Sequence, residues 1–208
     1  MLEREWELLP LLKEYKVNEA TFSFCNENNI IKISGIDYDK KTLQNFLNFL
    51  TQISEEKKNT NIKIIGDFDS KLLFQNLITD KHSQDLDEIL IMFQLICKTM
   101  QNSESTFSAE INGIVQGPAM EIALCCNFIK ADNNTVLKLN EVNQGIIPIL
   151  GTVQRLTKLI GYKNSLKAFL IDKQISYEQG LKLLLFNNKT DNLTKIEHES
   201  FFWDQVFT

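Results

Sequence analysis

Apolar and polar positions alternate in two places near the start of the chain, Thr21-Phe22-Ser23-Phe24-Cys25 and Ile30-Ile31-Lys32-Ile33-Ser34. The polar run Asn26-Glu27-Asn28-Asn29 lies between them, so a hairpin of two half-buried strands is predicted. Helical spacing appears on both sides of it. From Trp6 to Tyr15 the apolar positions predict a short amphipathic helix, and over Lys41 to Ile53 Leu43, Phe46, Leu47, Phe49 and Leu50 share one helical face. Ile62-Lys63-Ile64-Ile65-Gly66 then reads as a strand closed by glycine, and strand, helix, strand favours a parallel crossover. The stretch from Asp67 to His82 reads as loop with some helix. A long helix follows from about Gln84 to Met100, carrying Leu86, Leu90, Phe93, Ile96 and Cys97.

The second half is denser in turns. Thr106 to Asn112 predicts a strand ending in the turn dipeptide Asn112-Gly113, and Gly117-Pro118 opens a helix, proline being suited to a first helical position where no N–H is needed. Phe128 to Ala131 and Val136 to Leu139 are short strands around Asp132-Asn133-Asn134. Three helical segments follow, Gly151 to Leu159, Lys163 to Ile171 and Tyr177 to Leu185, before the aromatic tail Phe201 to Phe207. No repeat, low-complexity tract or linker interrupts the chain.

Composition narrows the class. A length of 208 residues, 43% hydrophobic and 24% charged, suits one well-buried domain. A net charge of -5 with scattered Lys and Arg argues against nucleic acid as partner. Cys25, Cys97, Cys125 and Cys126 lack Cys-x-x-Cys spacing and read as buried, reduced thiols. The acidic N-terminus does not resemble a secretory signal, and no apolar run reaches the ~18 residues of a membrane span. The expectation is a soluble cytoplasmic protein with no membrane partner. His82 and His198 stand in charged stretches, which makes a histidine-centred metal site or triad a poor expectation.

Candidate chemistry is concentrated in two carboxylates, Glu121 in Gly117-Pro118-Ala119-Met120-Glu121 and Glu141 in Leu139-Asn140-Glu141-Val142-Asn143-Gln144-Gly145. Carboxylates at the ends of different elements can converge on one pocket and move protons. Plainer roles exist for each. An acidic residue in the first turn of a helix starting at Pro118 complements the helix dipole, and Glu141 by itself would be a surface glutamate. Gly66 reads as a strand terminator and Gly117 as a helix-start turn. Asp67 and Asp69 read as solvated turn residues rather than metal ligands, and Gln154-Arg155 as a helix-surface pair with a packing role.

From Ala109 through Glu121-Ile122-Ala123-Leu124, Ala131, Glu141 to Pro148, Gly151-Thr152-Val153-Gln154-Arg155-Leu156-Thr157 and Ile175 to Leu181, the chain resembles the crotonase superfamily, the enoyl-CoA hydratases and isomerases. The resemblance implies an α/β spiral of short ββα units forming two roughly perpendicular sheets with helices outside. It implies one domain over 1–208, with a spiral core to about 160 and a helical C-terminal region from about 161. It also implies an acyl-CoA or acyl-carrier thioester as substrate, no further cofactor, no metal, and a homotrimer or hexamer. By position, Glu121 would hold or activate a water and Glu141 would exchange the proton beside the carbonyl. Gly66, Gly117 and Pro118 fall where the thioester oxygen would be bound. Pro118 occupies the place of a glycine whose N–H points at that oxygen, and Gly66-Asp67-Phe68-Asp69-Ser70 does not match the family's loop for the second N–H. Two functions follow: hydration or isomerisation of an enoyl thioester, or a catalytically impaired member acting as an oligomeric interaction or regulatory subunit.

Overall fold

The hairpin forms as its alternation requires. Strands β1 (Tyr15–Val17), β2 (Ala20–Cys25) and β3 (Ile30–Ser34) pair antiparallel, with Phe22 opposite Ile33 and Phe24 opposite Ile31. Directly opposed residues project from one face of a sheet, and all four of these side chains are buried. The structure is a computed structural model that describes residues 15–17, 20–36, 40–69, 83–139, 148 and 151–187. Within it, Tyr15 opens a strand instead of ending a helix. The rest of the Trp6 to Tyr15 helix, like the aromatic tail, His82 and His198, lies outside the described residues.

Helix α1 (Lys40–Glu56) covers the hairpin with Leu43, Phe46, Phe49, Leu50 and Ile53, all buried. Phe22 meets Phe46 and Phe49 at centroid distances of 4.8 and 6.1 Å, close enough for the rings to gain beyond their area of contact. The chain then crosses to β4 (Asn61–Gly66), which lies parallel to β3, with Ile31 beside Ile64. Helix α2 (Ser83–Asn102) makes the next crossover to β5 (Thr106–Ile111), again parallel. Its buried line is Ile89, Met92, Phe93, Ile96, Cys97 and Met100, and Leu90 is only half-buried. Phe93, Ile96 and Cys97 thus lie on the buried face as the spacing predicts, with Ile89 rather than Leu90 fully buried one turn before Phe93.

Beyond β5 the chain divides between two sheets. Strand β6 (Ile114–Val115) starts a small sheet, α3 (Gly117–Cys125) follows, and β7 (Phe128–Ala131) returns to the large one, parallel to β5. After the turn Asp132 to Thr135, β8 (Val136–Lys138) belongs to the small sheet, parallel to β6. The turn is tied to the end of β5: Asp132 N–H and Thr135 Oγ1 both donate to the Ile111 carbonyl, at 3.1 and 3.2 Å. Helices α4 (Thr152–Ile160) and α5 (Tyr162–Lys167) follow, the latter running into a π-helical turn over Ala168–Asp172. Where helix was expected to resume directly, β9 (Gln174–Ser176) first adds to the small sheet, antiparallel to β8. Three residues with one buried side chain, Ile175, give no periodicity to read. Helix α6 (Tyr177–Lys182) then starts on a capping box in which Ser176 and Gln179 satisfy each other's backbone N–H. The strand orders are β1-β2-β3-β4-β5-β7 and β6-β8-β9.

Candidate functional site

Helix α3 is the centre of the site. All nine of its residues, Gly117 to Cys125, are buried, as suits a helix apolar on every side. Gln116 before it is extended and Gly117 takes a left-handed φ of 68°, so the chain turns sharply into the helix and Pro118 occupies the first turn without forfeiting a hydrogen bond. Glu121 is the fifth residue from Gly117, one turn in. The helix holds no acidic residue in its first turn, so the dipole-complementing role expected for Glu121 does not apply.

A buried carboxylate costs several kcal/mol unless it is hydrogen-bonded. Glu121 is 1% exposed, and Thr152, 0% exposed at the start of α4, donates from Oγ1 to its Oε2 at 2.7 Å. One turn further along α4 stands Arg155. The expected surface role holds for Gln154, which is exposed, but Arg155 is half-buried and turned inward to Cys97, Cys125 and Glu121. Burial would lower its basicity, yet Cys125, Cys97 and the Glu121 carboxylate outweigh burial and hold it above its ordinary value. The thiols divide their proton accordingly. Cys97 and Cys125 lie 3.1 Å apart, and the hydrogen bond from Cys125, ahead of the charge of Arg155, holds Cys97 below the usual thiol range. The same hydrogen bond and burial push Cys125 well up, and burial pushes Cys126 up. All four cysteines are free thiols, but only Cys97 and Cys125 are fully buried.

The end of β4 is brought to the same place. Gly66 has φ 133°, and a Cβ there would stand 2.0 Å from the Ile33 carbonyl oxygen, so only glycine fits where the strand terminates. Asp67 N–H donates to Ile33 O at 3.0 Å, and Asp67 Oδ1 accepts from Asp69 N–H at 2.9 Å. Gln116 then ties this loop to the turn into α3, its N–H donating to Phe68 O at 3.0 Å and its Nε2 to Asp69 Oδ1 at 2.5 Å. The end of β4 at Gly66 and the start of α3 at Gly117-Pro118 are thus joined through the residues next to them. Asp67 and Asp69 serve that junction, and no group of three or more metal-ligating side chains occurs among the described residues.

Glu141 lies outside the described residues, as do its neighbours on both sides. The chain enters that segment from Leu139, fully buried, whose N–H donates to Lys173 O at 2.9 Å. Sequence reasoning missed Thr152, Gln116 and the inward turn of Arg155. Nothing local marks them, since their partners are distant in sequence, Glu121 standing 31 residues from Thr152 and Asp69 47 residues from Gln116.

A large sheet whose β3-β4-β5-β7 part is parallel, a small second sheet and helices packed on them define a crotonase-type fold, and comparison with known proteins agrees. DspI of Pseudomonas aeruginosa superposes with a TM-score of 0.70 at 19% identity, covering 82% of this chain and 72% of that one. An enoyl-CoA hydratase from Bacillus halodurans gives 0.68 at 22% identity, covering 80% and 71%. The enoyl-CoA hydratase/isomerase family matches residues 39–189, most of the chain, and the protein belongs to that family. Among its relatives, the fatty acid oxidation complex subunit alpha of Shewanella frigidimarina is 28% identical over 193 residues, which are 86% of this chain and 27% of that protein. The peroxisomal fatty acid beta-oxidation multifunctional protein AIM1 of Arabidopsis thaliana is 33% identical over 97 residues, 47% of this chain and 14% of its own length. The chain spans only a minor part of either relative. No described helix is long and apolar enough to cross a membrane.

Proposed function

We propose that the protein hydrates or isomerises an enoyl thioester carried on coenzyme A or an acyl carrier, with Glu121 and Glu141 handling the protons. The observation that carries this reading is the buried Glu121 carboxylate, hydrogen-bonded by Thr152, one turn into the helix that Gly117-Pro118 opens and whose entry Gln116 ties to the residues after Gly66. In the hydration, water adds through oxygen to the β-carbon and gives up a proton to Glu121. Glu141 delivers a proton to the α-carbon, and charge builds transiently on the thioester oxygen. For a double-bond shift one carboxylate moves a proton from one carbon to another, which Glu141 alone could do. By the same resemblance we infer a homotrimer or hexamer.

One observation favours the second reading, a catalytically impaired member serving as an interaction or regulatory subunit. Pro118 has no N–H to donate at the start of α3, and losing one donor to a developing oxyanion typically costs ~10²–10³ in rate. Crotonyl-CoA hydration by the full chain separates the two. Glu121→Gln and Glu141→Gln are each expected to lower kcat by about 10²–10⁴. If the unmodified chain turns over no faster than the double variant, and a CoA thioester leaves its melting temperature unmoved, the enzyme reading fails. In an active protein, Pro118→Gly is expected to raise kcat, up to ~10²-fold; an unchanged or lower rate would mean that the oxygen is held by other donors.

A further inference from the structure

Cys97 on α2 and Cys125 at the end of α3 are 28 residues apart in sequence and 3.1 Å apart at sulphur, in a buried setting. Buried cysteines are usually inert small apolar groups. Here, however, the two sulphurs face each other at contact distance, and Arg155, whose charge also faces Glu121, turns inward from α4 toward them. A thiolate is the reactive form of cysteine, and a neighbouring cation together with a thiol donor is the environment that creates one. We propose that Cys97 and Cys125 form a dithiol site that reacts with hydroperoxides and closes reversibly to a disulfide.

The two sulphurs have unequal parts. Cys97, the thiol whose proton is the more easily lost, gives it up to solvent and attacks a peroxide oxygen as thiolate; the O–O bond breaks, the departing alkoxide takes a proton from solvent to leave as an alcohol, and Cys97 becomes a sulfenic acid. Cys125, the protonated partner, then loses its proton as its sulphur displaces hydroxide from Cys97, and the two leave together as water. Overall two thiols and one hydroperoxide give one disulfide, one alcohol and one water. Bonding needs the sulphurs to close from 3.1 Å to ~2.05 Å. The product would join α2 to α3 one turn beyond Glu121. It would also remove both thiols that face Arg155, leaving neither able to ionise beside that cation.

The test uses the full reduced chain, hydrogen peroxide, thiol blocking in denaturant and non-reduced peptide mapping. Lys98 separates Cys97 from Cys125 and Cys126 on trypsin digestion, and Cys126→Ser removes the remaining ambiguity. Expected are loss of two thiols of the four, a linked peptide pair containing Cys97 and Cys125, a rise in melting temperature on the order of 5 °C, and full reversal by dithiothreitol. In Cys125→Ser, dimedone should trap Cys97 as a sulfenic acid. The proposal is overturned if Cys97 and Cys125 both remain alkylatable once Cys25 or Cys126 has been oxidised, if a different pair links, or if peroxide removes no thiol. The mapping on the unmodified chain stands even where a variant does not fold.

Discussion

Thr152 is the residue through which the fold controls Glu121. Its hydroxyl is fully buried, reaches a carboxylate oxygen at 2.7 Å and comes from another helix, so it fixes the side chain's direction as well as stabilising its charge. Thr152→Val keeps the shape and removes the donor. It is expected to cost about 1.5–3 kcal/mol in urea unfolding and to lower kcat more than it raises KM, whereas Thr152→Ser should restore both. Equal losses in serine and valine would show that the methyl packing matters and the hydrogen bond does not. Glu121 itself was legible as a candidate because it follows a glycine-proline helix start and has a second carboxylate, Glu141, on a later element. Thr152 was not legible, because a threonine opening a helix reads as an ordinary terminus, and only the packing of α4 on α3 gives it a partner.

Among the elements, the end of β4 is the least tolerant of change. A side chain at Gly66 meets the backbone of β3 and must also adopt φ 133°, so Gly66→Ala is expected to destabilise by about 2 kcal/mol or more. Chemical denaturation with a loss under about 0.5 kcal/mol would refute that. The longer elements were readable because their periods are sustained: α1 buries Leu43, Phe46, Phe49 and Leu50 on one face, and the β2–β3 hairpin follows its alternation residue by residue. Strands β6 and β9, of two and three residues, were not readable. They exist because neighbouring strands satisfy their backbones, a long-range condition that no local pattern records.

For the whole molecule, exposed apolar side chains gather toward the chain's later helices: Leu159 on α4, Tyr162 and Leu166 on α5, and Leu170 and Ile171 at 61% and 71% exposure in the π-helical turn. Neighbouring apolar groups of this size suit a subunit contact. Sedimentation of the full chain is expected to give a trimer or hexamer that Leu170→Asp with Ile171→Asp reduces to smaller species; a monomer without those changes would remove this expectation. The division of β7 and β8 between the two sheets has a different consequence. Strands β6 and β8 run side by side with Val115 beside Leu137; β6 leads into Glu121 and β8 toward Glu141. On the proposed function, the register of β6 on β8, and not the twenty-residue interval, would set how the two acids are spaced. Lengthening the turn at Asn133-Asn134 leaves that register in place and should preserve thioester turnover, while one residue added between Leu139 and Glu141 should abolish it.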